Sequence, residues 1–423
     1  MTQNLKFFNS WRSFAIVIVA GLFYYFEFIL RVAPSVMILP MTREFALSSG
    51  TFGTLAGAYY LAYTPAQLLV GLLIDRFGPR LLLILSSTLC FVGTFLFGMS
   101  SDFWILYLGR FLVGLGSAFA FVGSLKLVTL WFPQKWFATA AGIISGIGMV
   151  GGITATLILA PMVDNLGWRQ ANIITGWVGV IILLLIFFVV FEKKQSDKKV
   201  DSERNFRLLF CSLRTIIVKR NILIAGLIGA ILYLSLSAFG ELWGIPFLME
   251  KYQISNLEAS GAIAYLFTGW IVGGILLSWL SDFLENRKLI LQIALLSSLI
   301  IFLMILYPLT QDKAILKLLL LLYGIASSGE LLVFAVARDE TALNVAGTAT
   351  SVINMIVMLG GVCFQPVIGL LAGLVNKPGS ETSATISTNH FQSALLVIPM
   401  ALIIGLVLTR FFQNKSSKPL TIG

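Results

Sequence analysis

Runs of apolar residues about 20 long, enough for a helix to cross a bilayer, fall near residues 14–37, 51–74, 81–99, 104–130, 138–160 and 170–191. Six more follow near residues 221–247, 258–281, 289–309, 314–337, 343–372 and 392–412. Between the two sets, residues 192–220 hold nine Lys/Arg and four Asp/Glu, the longest charged stretch of the chain. The pattern predicts an all-α membrane protein of twelve transmembrane helices: one half over residues 1–191, a linker over 192–220 and a second half over 221–423.

Ionised side chains inside an apolar run are costly in a bilayer and need a partner, a cavity or water. The first run contains such a set. Glu27 and Arg31 stand four apart with the acid first, the favourable order for an ion pair on one helical face. Tyr24 lies three before Glu27 and Ser35 four after Arg31, so the four residues form one polar stripe. That stripe is expected to face protein or a water-filled cavity.

Arg110 in the fourth run, Glu241 in the seventh and Glu330 in the tenth are further candidates. For Arg110 a structural ion pair with Glu27 is the competing reading, and for Glu241 a wetted position near the outer end of its helix. Gly240, Gly244 and Pro246 around Glu241 predict a bent or broken helix. Asn354 and Gln365 in the eleventh run either meet substrate or join helices. Tyr25, Tyr59, Tyr60, Tyr63 and Trp243 are candidate cavity aromatics. Lys126 lies about one turn from the membrane edge and either snorkels to it or enters the cavity. Gly142, Gly146, Gly148, Gly151 and Gly152 read as a small-residue packing face.

The chain also repeats itself. Asp75 and Asp282 are 207 residues apart, as are Arg80 and Arg287, and the same offset pairs Phe45-Ala46-Leu47-Ser48 with Tyr252-Gln253-Ile254-Ser255. Ala141-Gly142 and Pro161 recur as Ala346-Gly347 and Pro366 at an offset of 205. An even number of spans separates equivalent points, so the halves are parallel repeats.

Gly71-x3-Asp75-Arg76-x-Gly78-x-Arg80, its degenerate copy with Asp282 and Arg287, Tyr107-x2-Arg110-x3-Gly114-x-Gly116 and Gly167-Trp168-Arg169 together resemble the major facilitator superfamily over essentially the whole chain. In the first motif glycine permits a tight turn, and Asp75 is expected to accept hydrogen bonds at a helix N-terminus and to pair with Arg80. The resemblance implies that Gly71, Asp75, Arg76, Gly78 and Arg80 latch the cytoplasmic ends of the halves in an outward-facing state. A weaker latch is implied at Asp282 and Arg287, where Phe283 and Glu285 replace the Arg and Gly of the signature. For Arg110 the resemblance implies a role in meeting substrate or holding the first half together.

Trp131-Phe132-Pro133-Gln134-Lys135 resembles a loop of the organic-anion symporter branch. The first and fourth spans are similar to phagosomal nutrient transporters, whose substrates are implied to be amino acids. The sequence departs from the branch pattern at Leu30, where an Asp is usual, at Ser117, where an acid is common, and at Trp136-Phe137, near which an arginine is usual. Glu27, one turn before Arg31, is expected to supply the missing acid.

Composition narrows the class. With 58% hydrophobic and 11% charged residues and a mean hydropathy of +0.94, the 423-residue chain has too little polar surface to coat a soluble globule. The net charge of +10 raises the question of nucleic acid, but the basic residues answer it. With a cytoplasmic N-terminus, 20 of the 29 Lys/Arg fall in cytoplasmic segments and six outside. They track one side of the membrane, so both termini and the linker are expected to be cytoplasmic, in a bacterial inner membrane, with no nucleic-acid partner. The first run has no small-residue cleavage site and reads as a retained helix. Cys90, Cys211 and Cys363 lack metal-ligand spacing, so neither a disulfide nor a metal site is expected. The single histidine, His390, sits in a polar connection and offers no relay within the membrane.

No phosphate-binding loop indicates ATP use, and no nucleophile, base and orienting cluster suggests an enzyme. The expected function is secondary active transport by alternating access, without a cofactor, by a monomer embedded in lipid. Proton-coupled uptake of an amino acid or small carboxylate comes first. Tyr24, Glu27, Arg31, Arg110, Glu241, Glu330 and Asn354 are the expected substrate contacts, and Glu27, Glu241 and Glu330 the proton-coupling acids. Proton-driven efflux of a drug or metabolite is the alternative, and a non-transporting sensor is more remote.

Overall fold

The computed structural model describes residues 11–132, 137–191, 213, 215–341, 346–374 and 388–413. Cys211, Trp136, the side chains of Phe137 and His390 and most of the linker lie outside what is described. Among the described residues twelve helices are long and apolar enough to span: α1 (Trp11–Glu44), α2 (Ser49–Phe77), α3 (Pro79–Met99), α4 (Phe103–Trp131), α5 (Ala140–Leu166) and α6 (Trp168–Val189), then α7 (Arg220–Tyr252), α8 (Asn256–Phe283), α9 (Arg287–Leu306), α10 (Lys313–Asp339), α11 (Gly347–Gly373) and α12 (Phe391–Phe411).

Short turns join most of them, and the turns repeat between halves. Ser48 caps α2 by accepting from the Thr51 amide at 3.1 Å, and its repeat partner Ser255 caps α8 in a reciprocal box with Glu258. Just before these caps, Ala46 (φ 49) and Gln253 (φ 51) share a left-handed backbone, and 207 residues separate Gly78 (φ 81) from Glu285 (φ 48) as well. A left-handed non-glycine residue costs roughly 1–2 kcal/mol. Glu285 adopts a positive φ where the first copy has glycine.

Among the described residues five helices depart from regular α winding, α12 through a single turn residue at Leu396. The last turn of α4's first segment loosens at Ala118 and Phe119, α5 is π-wound over Ala155–Leu159, α7 over Ser235–Trp243, and α10 tightens to 3-10 geometry over Ser328–Leu331. Such irregularity is tolerated at membrane depth where protein surrounds it or a cavity adjoins it. All nine residues of the α7 segment are buried. The break expected around Gly240 and Pro246 is thus a widened helix that starts at Ser235, with Pro246 beyond it in regular helix.

An even number of spans puts the start of α1 and the end of α12 on one face, called here the termini face; the other is the far face. Toward the far face, α2 and α11 lie backbone to backbone. A Cβ on Gly53 would stand 2.5 Å from the Gln365 carbonyl oxygen, and one on Gly369 2.4 Å from that of Ser49. Gly361 accommodates the Tyr60 ring, and Gly152 of α5 accommodates Phe267 of α8. Small residues permit this approach. Toward the termini face, Gly71, Gly142, Gly146 and Gly347 meet no neighbour within 4 Å. The halves therefore touch at mid-depth and on the far side.

Candidate substrate site

Among the described residues, the buried members of the Asp, Glu, Lys and Arg set are Glu27, Arg31, Arg110, Glu241 and Glu330. All five were singled out from sequence, and the fold gathers them near mid-depth.

Arg31 is the hub. Its Nε donates to Glu27 Oε1 at 2.9 Å and to the Tyr59 hydroxyl at 3.0 Å, and its Nη2 donates to Glu27 Oε1 at 2.5 Å. Its Nη1 crosses to the second half and donates to the Tyr233 hydroxyl at 2.9 Å. The guanidinium carbon stands 4.4 Å from the Phe28 ring centroid and 5.1 Å from that of Tyr63, so aromatic faces supply the remaining contacts. Tyr59 also donates to Glu27. Gly114 of α4 holds Tyr59 in place, because any side chain there would collide with the Tyr59 backbone.

On the other side of the seam, Glu241 accepts from Tyr60 of the first half and, at 3.3 Å, from Tyr233. The chain Glu27–Arg31–Tyr233–Glu241–Tyr60 thus crosses the seam twice. Glu241 is 1% exposed, which overturns the wetted, outer-end reading. The cause is the π winding. Eight residues separate Tyr233 from Glu241, about 80° apart on an ideal α-helix, and the wider turn brings both onto the inner face.

Arg110 does not pair with Glu27. Its Nη1 donates to the Leu30 carbonyl at 2.8 Å, its Nε is buried without a partner, and its guanidinium lies 5.1 Å from the Tyr59 ring centroid. Glu27 is already engaged by Arg31 and Tyr59, although its Oε2 is also unpartnered. Glu330 sits in the 3-10 turn of α10, 2% exposed, with no side-chain hydrogen bond or ion pair among the described residues. It lies close enough to Tyr24 and Tyr233 to act on them electrostatically. Tyr24 itself is half-buried against Phe28 and Phe121. Asn354 approaches Tyr63 across the seam, whereas Gln365 joins α11 to α7, donating to the Ser237 carbonyl at 2.7 Å and accepting from Trp243 at 2.9 Å.

The motif residues occupy the termini face and bond within their own halves. Asp75 pairs with Lys126 of α4 at 2.6 Å, and Arg80 donates to the Phe187 carbonyl of α6 at 3.0 Å with its guanidinium over Phe187 and Phe191. The expected Asp75–Arg80 pair is absent. The Gly78-Pro79 turn separates the two helix ends, so Asp75 faces α4 and Arg80 faces α6. Lys126 accordingly neither enters the central space nor simply snorkels. Arg76 lies over Phe77, and Gly71 is open to its surroundings. In the second half Arg287 bonds Asp339 at 2.6 Å and stands 3.8 Å from Asp282. Exposed pairs of this kind are worth under about 1 kcal/mol, so Asp75→Asn is expected to leave the fold intact. If the motif latches the alternative state, that variant slows turnover in reconstituted vesicles without changing substrate affinity. A pure affinity effect would contradict the latch.

Three partners escaped the sequence reading. Tyr233 gave no signal because its register with Glu241 depends on the π turn. Asp339 lies outside the repeat motif. Glu44 receives Arg169 at 2.6 Å and Trp168 Nε1 at 2.7 Å, while Arg169 also donates to the Ser100 carbonyl at 2.6 Å. The Gly167-Trp168-Arg169 motif thereby ties together the far-face ends of α1, α3 and α6.

Twelve spans in two repeated halves, with their buried charges collected at the seam, define a multi-pass membrane carrier rather than an enzyme. The chain belongs to the Major Facilitator Superfamily, whose family model matches residues 15–364. Its fold resembles a bacterial homologue of the human lysosomal transporter Spinster in an inward-facing, unoccupied conformation, with a TM-score of 0.80 and 20% identity over 97% of this chain and 99% of that one. It also resembles a D-xylose-proton symporter, with a TM-score of 0.70 and 15% identity over 96% and 99% of the two chains. By sequence it is similar to the probable sulfoacetate transporter of Cupriavidus necator, 32% identical over 43% of this chain and 41% of the relative. That match spans well under half of the relative's length. A D-galactonate transporter of Escherichia coli is 23% identical over 78% of this chain and 82% of the relative, and a probable galactarate/D-glucarate transporter of Escherichia coli is 23% identical over 87% and 86%.

Proposed function

We propose that this transporter takes up a small organic anion together with protons. The observation that carries the reading is the division of buried charge across the seam. Among the described residues the first half contributes two arginines and one carboxylate, and the second contributes two carboxyl groups and no buried basic residue. Arg31 and Arg110 both lie against the Tyr59 ring, at 5.4 and 5.1 Å from its centroid, and Arg110 lacks any carboxylate partner. A buried guanidinium left with so few acceptors favours an incoming anion.

Glu241, held by tyrosines, and Glu330, with no hydrogen-bond or ion-pair partner among the described residues, are the groups assigned to the coupled proton, with Glu27 as the acid that Arg31 releases when substrate arrives. The names of the relatives support an acidic cargo, since sulfoacetate, galactonate and glucarate all carry an anionic group. Those names favour an organic acid over an amino acid within the class of small carboxylates. The excess of Lys/Arg near the termini face favours a cytoplasmic position for that face.

The test is uptake into proteoliposomes from a panel of sulfonates, sugar acids, amino acids and lipophilic cations, with and without an inward proton gradient. Gradient-stimulated uptake of an acid is expected; transport confined to lipophilic cations would replace this reading with drug efflux. Glu330→Gln is expected to abolish the response to the gradient while exchange persists. An unchanged response would move the proton to Glu27 or Glu241.

A further inference from the structure

We propose that an anionic phospholipid occupies a lateral groove between the halves, on the far-face side, with its phosphate on Lys317 and one acyl chain along the wall below. The groove encloses about 640 Å³ between α5, α8 and α10, within the range of ligand sites of a few hundred to about 1,000 Å³. Its first-half wall is Ile153 and Leu157; its second-half wall includes Leu257, Tyr265 and Leu321. Leu157 and Leu257 are about half exposed, and Leu157 meets Gly261 across the seam at 4.0 Å from where a Cβ would stand.

The charges along the rim decide the occupant. Lys313, in the first turn of α10, is neutralised by Glu258 at 2.7 Å, and Glu258 is held in turn as part of the α8 capping box. Lys317 lies one turn deeper, about 6 Å along the helix axis, and has no carboxylate within ion-pair distance among the described residues. Its ammonium stands 5.8 Å from the Tyr265 ring centroid, which orients it toward the groove. A lysine one turn inside the membrane, above an apolar channel open to lipid, matches a phosphate at headgroup depth with hydrocarbon beneath it. A soluble organic anion would match the cation but leave the channel unfilled. Because the walls come from both halves, a bound lipid touches both, and its retention depends on the arrangement described here.

Native mass spectrometry of the purified full chain, titrated with phosphatidylglycerol or phosphatidylcholine, tests this. The wild type is expected to retain phosphatidylglycerol in preference to phosphatidylcholine. Lys317→Ala is expected to weaken phosphatidylglycerol retention about fivefold, the worth of one basic residue at a membrane surface, with phosphatidylcholine unaffected and Lys317→Arg restoring it. Leu157→Trp, which fills the channel and keeps the charge, is expected to reduce retention of both lipids. Equal retention of the two lipids by the wild type, or undiminished phosphatidylglycerol retention by Lys317→Ala, would overturn the proposal.

Discussion

Arg31→Ala is expected to lower uptake by at least about two orders of magnitude, because removing one partner of a buried ion pair costs roughly 3–5 kcal/mol. The guanidinium makes four hydrogen bonds, to Glu27 twice, to Tyr59 and to Tyr233. Its loss leaves Glu27 with Tyr59 alone and cuts the Arg31–Tyr233 link, one of the two by which the Glu27-to-Tyr60 chain crosses the seam. Lysine is not expected to substitute, since a point charge on a flexible stem cannot reach three partners at once. Uptake in proteoliposomes and the melting temperature of the purified protein separate the causes. Replacing the pair by apolar volume, Glu27→Leu with Arg31→Met, should restore melting temperature without restoring uptake. Near-normal uptake by Arg31→Ala would remove this residue from the site.

The second large effect concerns conformation. Tyr233→Phe deletes a hydroxyl that accepts from Arg31 at 2.9 Å and approaches Glu241 at 3.3 Å. A hydrogen bond to a charged group contributes about 1.5–3 kcal/mol, so the balance between the two access states should shift by roughly ten- to a hundredfold. The described arrangement loses population. Distances between spin labels on the termini-face ends of α2 and α11, in a background with Cys90, Cys211 and Cys363 replaced, report the shift. A distribution identical to that of the parent would show that Tyr233 does not hold the halves together.

What the sequence revealed follows from how costly each feature is in a membrane. The twelve runs were legible because a spanning helix needs a set length of apolar residues. The five buried charges were legible for the converse reason, since an ionisable group inside such a run stands out. The repeat predicted equivalent turns, and Ala46 with Gln253 and Gly78 with Glu285 share their backbone hand. Partner choice was less legible. Arg110 turns to the Leu30 carbonyl and Asp75 to Lys126, because a carbonyl acceptor carries no sequence signal and the facing helix is fixed by tertiary packing. Tyr233 was missed because helical periodicity assumes 3.6 residues per turn, and α7 abandons that value over Ser235–Trp243.

The α2–α11 contact carries a mechanical consequence. Gly50, Gly53 and Gly57 press against Leu370, Gln365 and Pro366, and Gly369 against Ser49, through carbon and carbonyl contacts. The polar bonds beside them, Trp243 to Gln365 and Gln365 to Ser237, begin and end within the second half and travel with it. When these two helices part, no donor or acceptor among those bonds is stranded. Each atom pair gives up only about 0.1–0.2 kcal/mol, so resistance there falls away gradually with separation, like peeling tape. The tyrosine and arginine links at mid-depth break at defined distances instead, as does the far-face bond from Asn256 to Asp164 at 2.8 Å, and together they set when the peeling begins.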